Sequence, residues 1–162
     1  MLLVFVALVY GANYMIVNTL GEWTGLNAWT NNVTNGQFDS FSLQFILGSI
    51  LSPVAWLLGV PSGDIMLVGQ LLGEKTILNE FYAYVSLTEM RNEGLFESKR
   101  SVVLATYMLC GFANISSIGI QIGGIGVLAP SRRKELSELG VKALIAGTMA
   151  SLYTAGIIGL LL

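Results

Sequence analysis

Histidine is absent from the 162 residues, and cysteine occurs once. Without histidine the chain lacks the commonest general base and the commonest metal ligand together. Serine-histidine catalysis, cysteine-histidine catalysis and histidine-metal sites are thereby excluded within it. Cys110 alone closes no internal disulfide and leaves the redox compartment open. Charge is scarce as well, at 11% of residues, against roughly 25% in an ordinary soluble domain. There is no extended basic run and the formal net charge is −2, so the electrostatic footprint of a nucleic-acid binder is missing. What fills the chain is apolar: 54% of residues are hydrophobic and the mean hydropathy is +0.70. Such a composition belongs in a lipid bilayer and predicts an all-α membrane protein crossing it more than once.

Residues 1–21 carry no charge and suffice to span, since roughly 20 residues at about 1.5 Å each cross a core of about 30 Å. No basic residues precede this run and no small-residue cleavage pattern follows it, so it reads as a mature transmembrane helix. Residues 22–40, rich in Asn, Thr, Gly and Ser and free of Lys and Arg, are expected to form a non-cytoplasmic loop. Residues 41–60 are interrupted by Gly48 and Pro53; a spanning helix is possible, and an interfacial or broken one fits the interruptions better.

Across 62–90, two apolar arms, 65–73 and 81–88, flank the polar stretch from Gly73 to Glu80. Nine residues of helix reach only about 14 Å, so the pattern predicts a re-entrant hairpin with Glu74, Lys75 and Glu80 at its tip. Within 100–130, the uncharged run would measure about 46 Å as one helix, longer than a bilayer is thick. The glycines and polar residues between Gly111 and Gly126 favour a broken transmembrane helix. Arg132, Arg133, Lys134 and Lys142 then make the most basic loop, expected in the cytoplasm. Residues 142–162 supply the last transmembrane helix, with Gly147, Ala150, Ser151, Ala155 and Gly159 suited to close packing. This path leaves 89–100 on the non-cytoplasmic side although it holds Arg91, Lys99 and Arg100 beside Glu89, Glu93 and Glu97.

The three charges at the hairpin tip would each cost about 2.5 to 3.5 kcal/mol if they faced lipid at mid-membrane, so they face protein or a wet cavity. Lys75 pairing with one carboxylate would stabilise the hairpin. Glu80, between Asn79 and Phe81, can accept hydrogen bonds from a hydroxyl-rich ligand such as a sugar. Asn114 and Ser117 share a face if helical, and offer an amide and a hydroxyl to one ligand. Alone, that pair serves equally well to bond helices together. Beside a charged hairpin and a broken helix it fits the mid-membrane sites that secondary transporters build from discontinuous elements. The loose dinucleotide pattern at Gly124-Ile125-Gly126 follows no soluble strand and is discounted. Gly119 and Gly123 read as a helix packing contact.

The stretch Gly73-Glu74-Lys75-Thr76-Ile77-Leu78-Asn79-Glu80-Phe81-Tyr82-Ala83-Tyr84 resembles the hairpin signature of the concentrative nucleoside transporters. Arg100 to Gly124, centred on Cys110-Gly111-Phe112-Ala113-Asn114-Ile115-Ser116-Ser117, is similar to that family's seventh helix. The resemblance extends over essentially the whole chain. It implies an ion-coupled nucleoside symporter of the inner or plasma membrane, not an enzyme. It also implies a homotrimer that moves a transport domain against a scaffold, driven by Na+ or H+ and holding no resident cofactor. By the same resemblance Glu80, Asn114 and Ser117 bind the ribose hydroxyls, with Phe112 and Asn79 beside them. Residues 1–21 would be a scaffold helix, 41–60 an interfacial helix, and 41–162 the C-terminal half of the transport domain. The family's first half, with a second hairpin, the nucleobase contacts and the ion site, has no counterpart in these residues. The chain is therefore expected to be one half of an inverted-repeat transporter fold, truncated and unable to transport alone. The alternative is a non-transporting membrane subunit or channel component whose polar clusters only pack helices.

Overall fold

The computed structural model describes residues 2–162; Met1, which belongs to the first expected segment, lies outside them. Among the described residues every regular element is helical, and the α-helices are α1 (Leu2–Met15), α2 (Leu26–Val33), α3 (Leu43–Leu57), α4 (Ile65–Ile77), α5 (Glu80–Asn92), α6 (Lys99–Leu109), α7 (Ile115–Leu128) and α8 (Arg133–Leu161). The expectation of an all-α chain therefore holds.

α1 runs on through a π-helical turn, Ile16–Gly21. There Asn18 Nδ2 donates to the Tyr14 carbonyl at 2.8 Å and Thr19 Oγ1 to that of Met15, side chains competing for the backbone acceptors of the helix. The 22–40 stretch departs from the expected loop, because Leu26–Val33 form α2. Asn27 explains the order: its Nδ2 donates to the Val17 carbonyl and its Oδ1 accepts from Phe41 N at 2.9 Å. The segment is thus tied at both ends to its neighbours in space.

α3 starts at Ser42, whose hydroxyl accepts from Phe45 N, and it contains Pro53. It packs along α4 at unusually short range. A Cβ built on Gly69 would lie 2.6 Å from the Gly48 carbonyl oxygen, and one on Gly48 would lie 2.9 Å from that of Met66. Only paired glycines permit such backbone contact.

α4 and α5 form a helical hairpin joined by Leu78 and Asn79, and Asn79 Oδ1 caps α5 by accepting from Tyr82 N at 2.8 Å. The polar tip is much shorter than expected. Glu74 and Lys75 lie inside the last turn of α4 and are buried, Lys75 bonded to partners on other helices and Glu74 to Gln70 one turn earlier in α4.

α6 and α7 are separated by Cys110 to Asn114, so the long uncharged run does break. The break is confined to those residues, and Gly119 to Gly126 are helical within α7. A Cβ added at Gly119 or Gly123 meets nothing within 4 Å, so the expected packing contact is not made within this chain.

α8 begins at Arg133, so the basic stretch read as a loop forms its first turns. Its 29 residues extend about 43 Å. Arg132 bonds Glu135 at 2.6 Å and Lys134 approaches Glu138 at 4.0 Å, the spacing that supports an exposed helix start. Among the described residues, Pro130–Leu161 is the helical run long and apolar enough by itself to cross a bilayer.

The core forms where α4, α6 and α8 meet. Leu67, Val68, Leu71, Leu104, Ala105, Met108, Leu109 and Ala155 are fully buried there, each large side chain contributing about 1.5 to 3 kcal/mol. Arg100, in the first turn of α6, donates to the Gly59 carbonyl at 3.3 Å and to the Gly159 carbonyl at 2.6 Å. One guanidinium thereby serves free carbonyls at the C-terminal ends of both α3 and α8.

Candidate functional site

The hairpin tip and the helix break come together although their residues lie far apart in the chain. Glu80 is the first residue of α5 and Asn114 the N-cap of α7. Asn114 Nδ2 donates to Glu80 Oε2 at 2.9 Å. Two helix N-termini thus converge on one carboxylate, and the positive ends of both dipoles favour its charge.

Asn114 is buried and densely bonded. Its Oδ1 accepts from Ser117 N at 2.7 Å and from Ser116 Oγ at 2.7 Å. Ser117 Oγ returns the contact by accepting from Asn114 N at 3.5 Å, which completes a capping box, and donates its own proton to the Asn114 carbonyl at 2.7 Å. Asn114 therefore does not share a helical face with Ser117 as the spacing suggested; it precedes the helix and closes its first turn. Ser116, to which the spacing assigns no role, gives its one proton to Asn114 and lies 3.4 Å from the Leu78 carbonyl of the hairpin turn. A serine two residues after a capping asparagine was the available signal for that role.

What remains free is informative. Asn114 Nδ2 carries a second N–H, and among the described residues no hydrogen bond reaches Glu80 Oε1. The site thus sets a half-exposed carboxylate acceptor, Glu80, beside the amide of Asn114, which is fully buried. Asn79, which caps α5, and Phe112, in the break and 60% exposed, flank it along the chain.

Lys75 behaves differently from the expected partner of a carboxylate. Its Nζ is fully buried and donates to the Met108 carbonyl and to Ser151 Oγ, both at 2.8 Å. Among the described residues it forms no ion pair. It supplies a donor to the end of α6, where the break leaves backbone carbonyls without helical partners. Gly111 makes room for it: a Cβ there would lie 3.0 Å from Ser151 Cβ and 3.4 Å from Lys75 Nζ. Sequence spacing could not reveal this contact, since Met108 and Ser151 come from two other helices.

Residues 1–159 match the family described as Na+ dependent nucleoside transporter C-terminus. The uncharacterized transporter YutK of Bacillus subtilis is 41% identical over 143 residues, which cover 85% of this chain and 35% of that protein. Solute carrier family 28 member 3 of Homo sapiens is 40% identical over 146 residues, covering 83% of this chain and 21% of that protein. The structure of CNTnw in an inward-facing substrate-bound state superposes with a TM-score of 0.79 at 37% identity, covering 98% of this chain and 36% of that one. The chain spans little more than a third of the length of YutK and of CNTnw and about a fifth of the human protein.

Proposed function

The chain belongs to the Na+ dependent nucleoside transporter family, matching its C-terminal part, and on that premise we propose that it forms the ribose-binding unit of an ion-coupled nucleoside symporter. The observation that carries this reading is the 2.9 Å contact between Asn114 and Glu80. A ribose presents neighbouring hydroxyls that both donate and accept. Glu80 Oε1 accepts from one of them while the free N–H of Asn114 donates to another. Ser117 and Ser116 hold Asn114 in place, and Phe112 and Asn79 border the opening.

Membrane placement is supported by the large apolar side chains left outside, among them Trp23, Leu57, Leu128, Tyr153 and Leu160, which an aqueous surface would not tolerate in such number. In this reading α1 belongs to a scaffold, the α4–α5 hairpin enters the membrane and returns, and α6, α7 and α8 complete one unit of an inverted repeat in a multi-pass protein. The homologous partner unit supplies the nucleobase contacts and the Na+ or H+ coupling, in a homotrimer.

A second reading, a membrane component whose polar clusters only pack helices, is favoured by the internal satisfaction of Asn114 and Ser117. Saturation-transfer NMR of uridine with the chain in nanodiscs separates the two. Transfer to the ribose protons above the uracil protons, lost in Glu80→Gln with unfolding unchanged, supports ribose binding. Equal transfer with wild type and Glu80→Gln, or none with either, supports packing.

A further inference from the structure

The side of α4 that faces α1 and α3 carries a second buried carboxylate. Glu74 is 3% exposed, and its Oε1 accepts from Gln70 Nε2 at 2.8 Å. Its Oε2 has no hydrogen-bond partner, and neither has Oε1 of Gln44 on α3. Glu74 and Gln44 line one cavity of about 380 Å3, together with Asn13, Gln70, Tyr82 and Ser86. Two buried acceptors that no hydrogen bond reaches therefore face a common space.

The charges around that space are all of one sign. Asp39, Glu89 and Glu93 line its exposed part, and no lysine or arginine does. The other titratable groups are phenols, Tyr82 of α5 and Tyr10 of α1, whose hydroxyls are bonded to each other at 2.9 Å. α3 contributes only the neutral Gln44. Lys75, next to Glu74 in sequence, is held by Met108 and Ser151 on α6 and α8. A carboxylate buried without a counter-ion or a full set of donors is unfavourable. A hard metal cation gathers about six or more oxygens, and here the buried side chains present two without partners. One proton meets the need of both. It turns Glu74 Oε2 from an acceptor into a donor, directed at Gln44 Oε1 or at a bridging water for which the cavity has room.

We propose that Glu74 is a proton-binding site, reached past Asp39, Glu89 and Glu93, and that the bound proton fastens the hairpin to α3 through Gln44. The step is a proton transfer from hydronium to Glu74 Oε2, leaving water, with no redox change. Its place in a transport cycle rests on the nucleoside-symporter reading; the proton site itself does not.

Infrared difference spectroscopy of the full chain in nanodiscs, between acidic and alkaline buffer, tests this. The expected result is a protonated-carboxyl carbonyl band that titrates, is missing in Glu74→Gln and persists in Glu80→Gln. Gln44→Leu should keep the band and move it to the position of a more weakly hydrogen-bonded acid, a readout that does not require Glu74→Gln to fold. A band unchanged in both Glu74→Gln and Gln44→Leu overturns the proposal. So does the absence of any such band from the folded wild type, or a carboxylate band that answers to Na+ and not to pH. Uridine saturation transfer on the same samples keeps the two readings apart, since its absence alongside an intact proton band counts against the symporter reading alone.

Discussion

Asn114 Nδ2 lies 2.9 Å from Glu80 Oε2, and through this contact the first residue of α5 is tied to the residue that starts α7. The hairpin and the broken helix therefore act as one unit at the site. A ligand held by either residue is held by both elements.

Exchanging the chemistry at this pair tests the arrangement. Asn114→Asp keeps the cap acceptor but sets a second carboxylate against Glu80, so uridine contact should be lost while α7 stays capped. Asn114→Ala removes cap and donor together and should lower stability by about 1 kcal/mol. Combining Asn114→Asp with Glu80→Gln restores an amide–carboxylate contact with the partners reversed. Denaturant unfolding should show a recovery of about 0.5 to 3 kcal/mol relative to the sum of the single losses.

Ser151 is the second test point. Its hydroxyl is one of two acceptors for the buried ammonium of Lys75, and hydrogen bonds to charged groups contribute about 1.5 to 3 kcal/mol. Ser151→Ala should cost that much in a thermal or denaturant melt. Ser137→Ala removes only an exposed bond to the Arg133 carbonyl and should stay within about 0.5 kcal/mol of wild type.

These partners also show where the sequence was legible. That the 100–130 run breaks could be read because its signals are local, a run too long for one span and a crowd of glycines and polar residues between Gly111 and Gly126, although only Cys110 to Asn114 leave the helix. The short hairpin was readable for the same reason. Glu74 and Lys75 read as part of a polar tip facing protein or a wet cavity, because charge between two short apolar arms marks a turn, whereas their place inside α4 depends on Gln70, Met108 and Ser151, two of them distant in sequence. Arg100 misled in the same way. Counted as a loop charge it argued about membrane side, yet its guanidinium is occupied by the Gly59 and Gly159 carbonyls. α2 and the start of α8 were hidden because Asn27 and the Arg132–Glu135 and Lys134–Glu138 pairs look like loop chemistry until their partners are known.

The glycines of the α3–α4 crossing separate close packing from mere abundance. A Cβ on Gly69 would sit 2.6 Å from the Gly48 carbonyl oxygen and 3.0 Å from Ser52 N. Both obstacles are backbone, so the helices must move apart, and α4 carries Glu74 toward α3 and Lys75 toward α6. Gly69→Ala should therefore cost about 1 to 3 kcal/mol as overpacking. It should also alter the infrared carboxyl band, because the distance between Glu74 and Gln44 changes with the crossing. Gly119→Ala meets nothing within 4 Å and removes a weak helix former, so this chain should gain up to about 1 kcal/mol. Melting curves of the two variants in nanodiscs, measured beside wild type, check both signs. A neutral Gly69→Ala would show that α3 and α4 do not cross this closely.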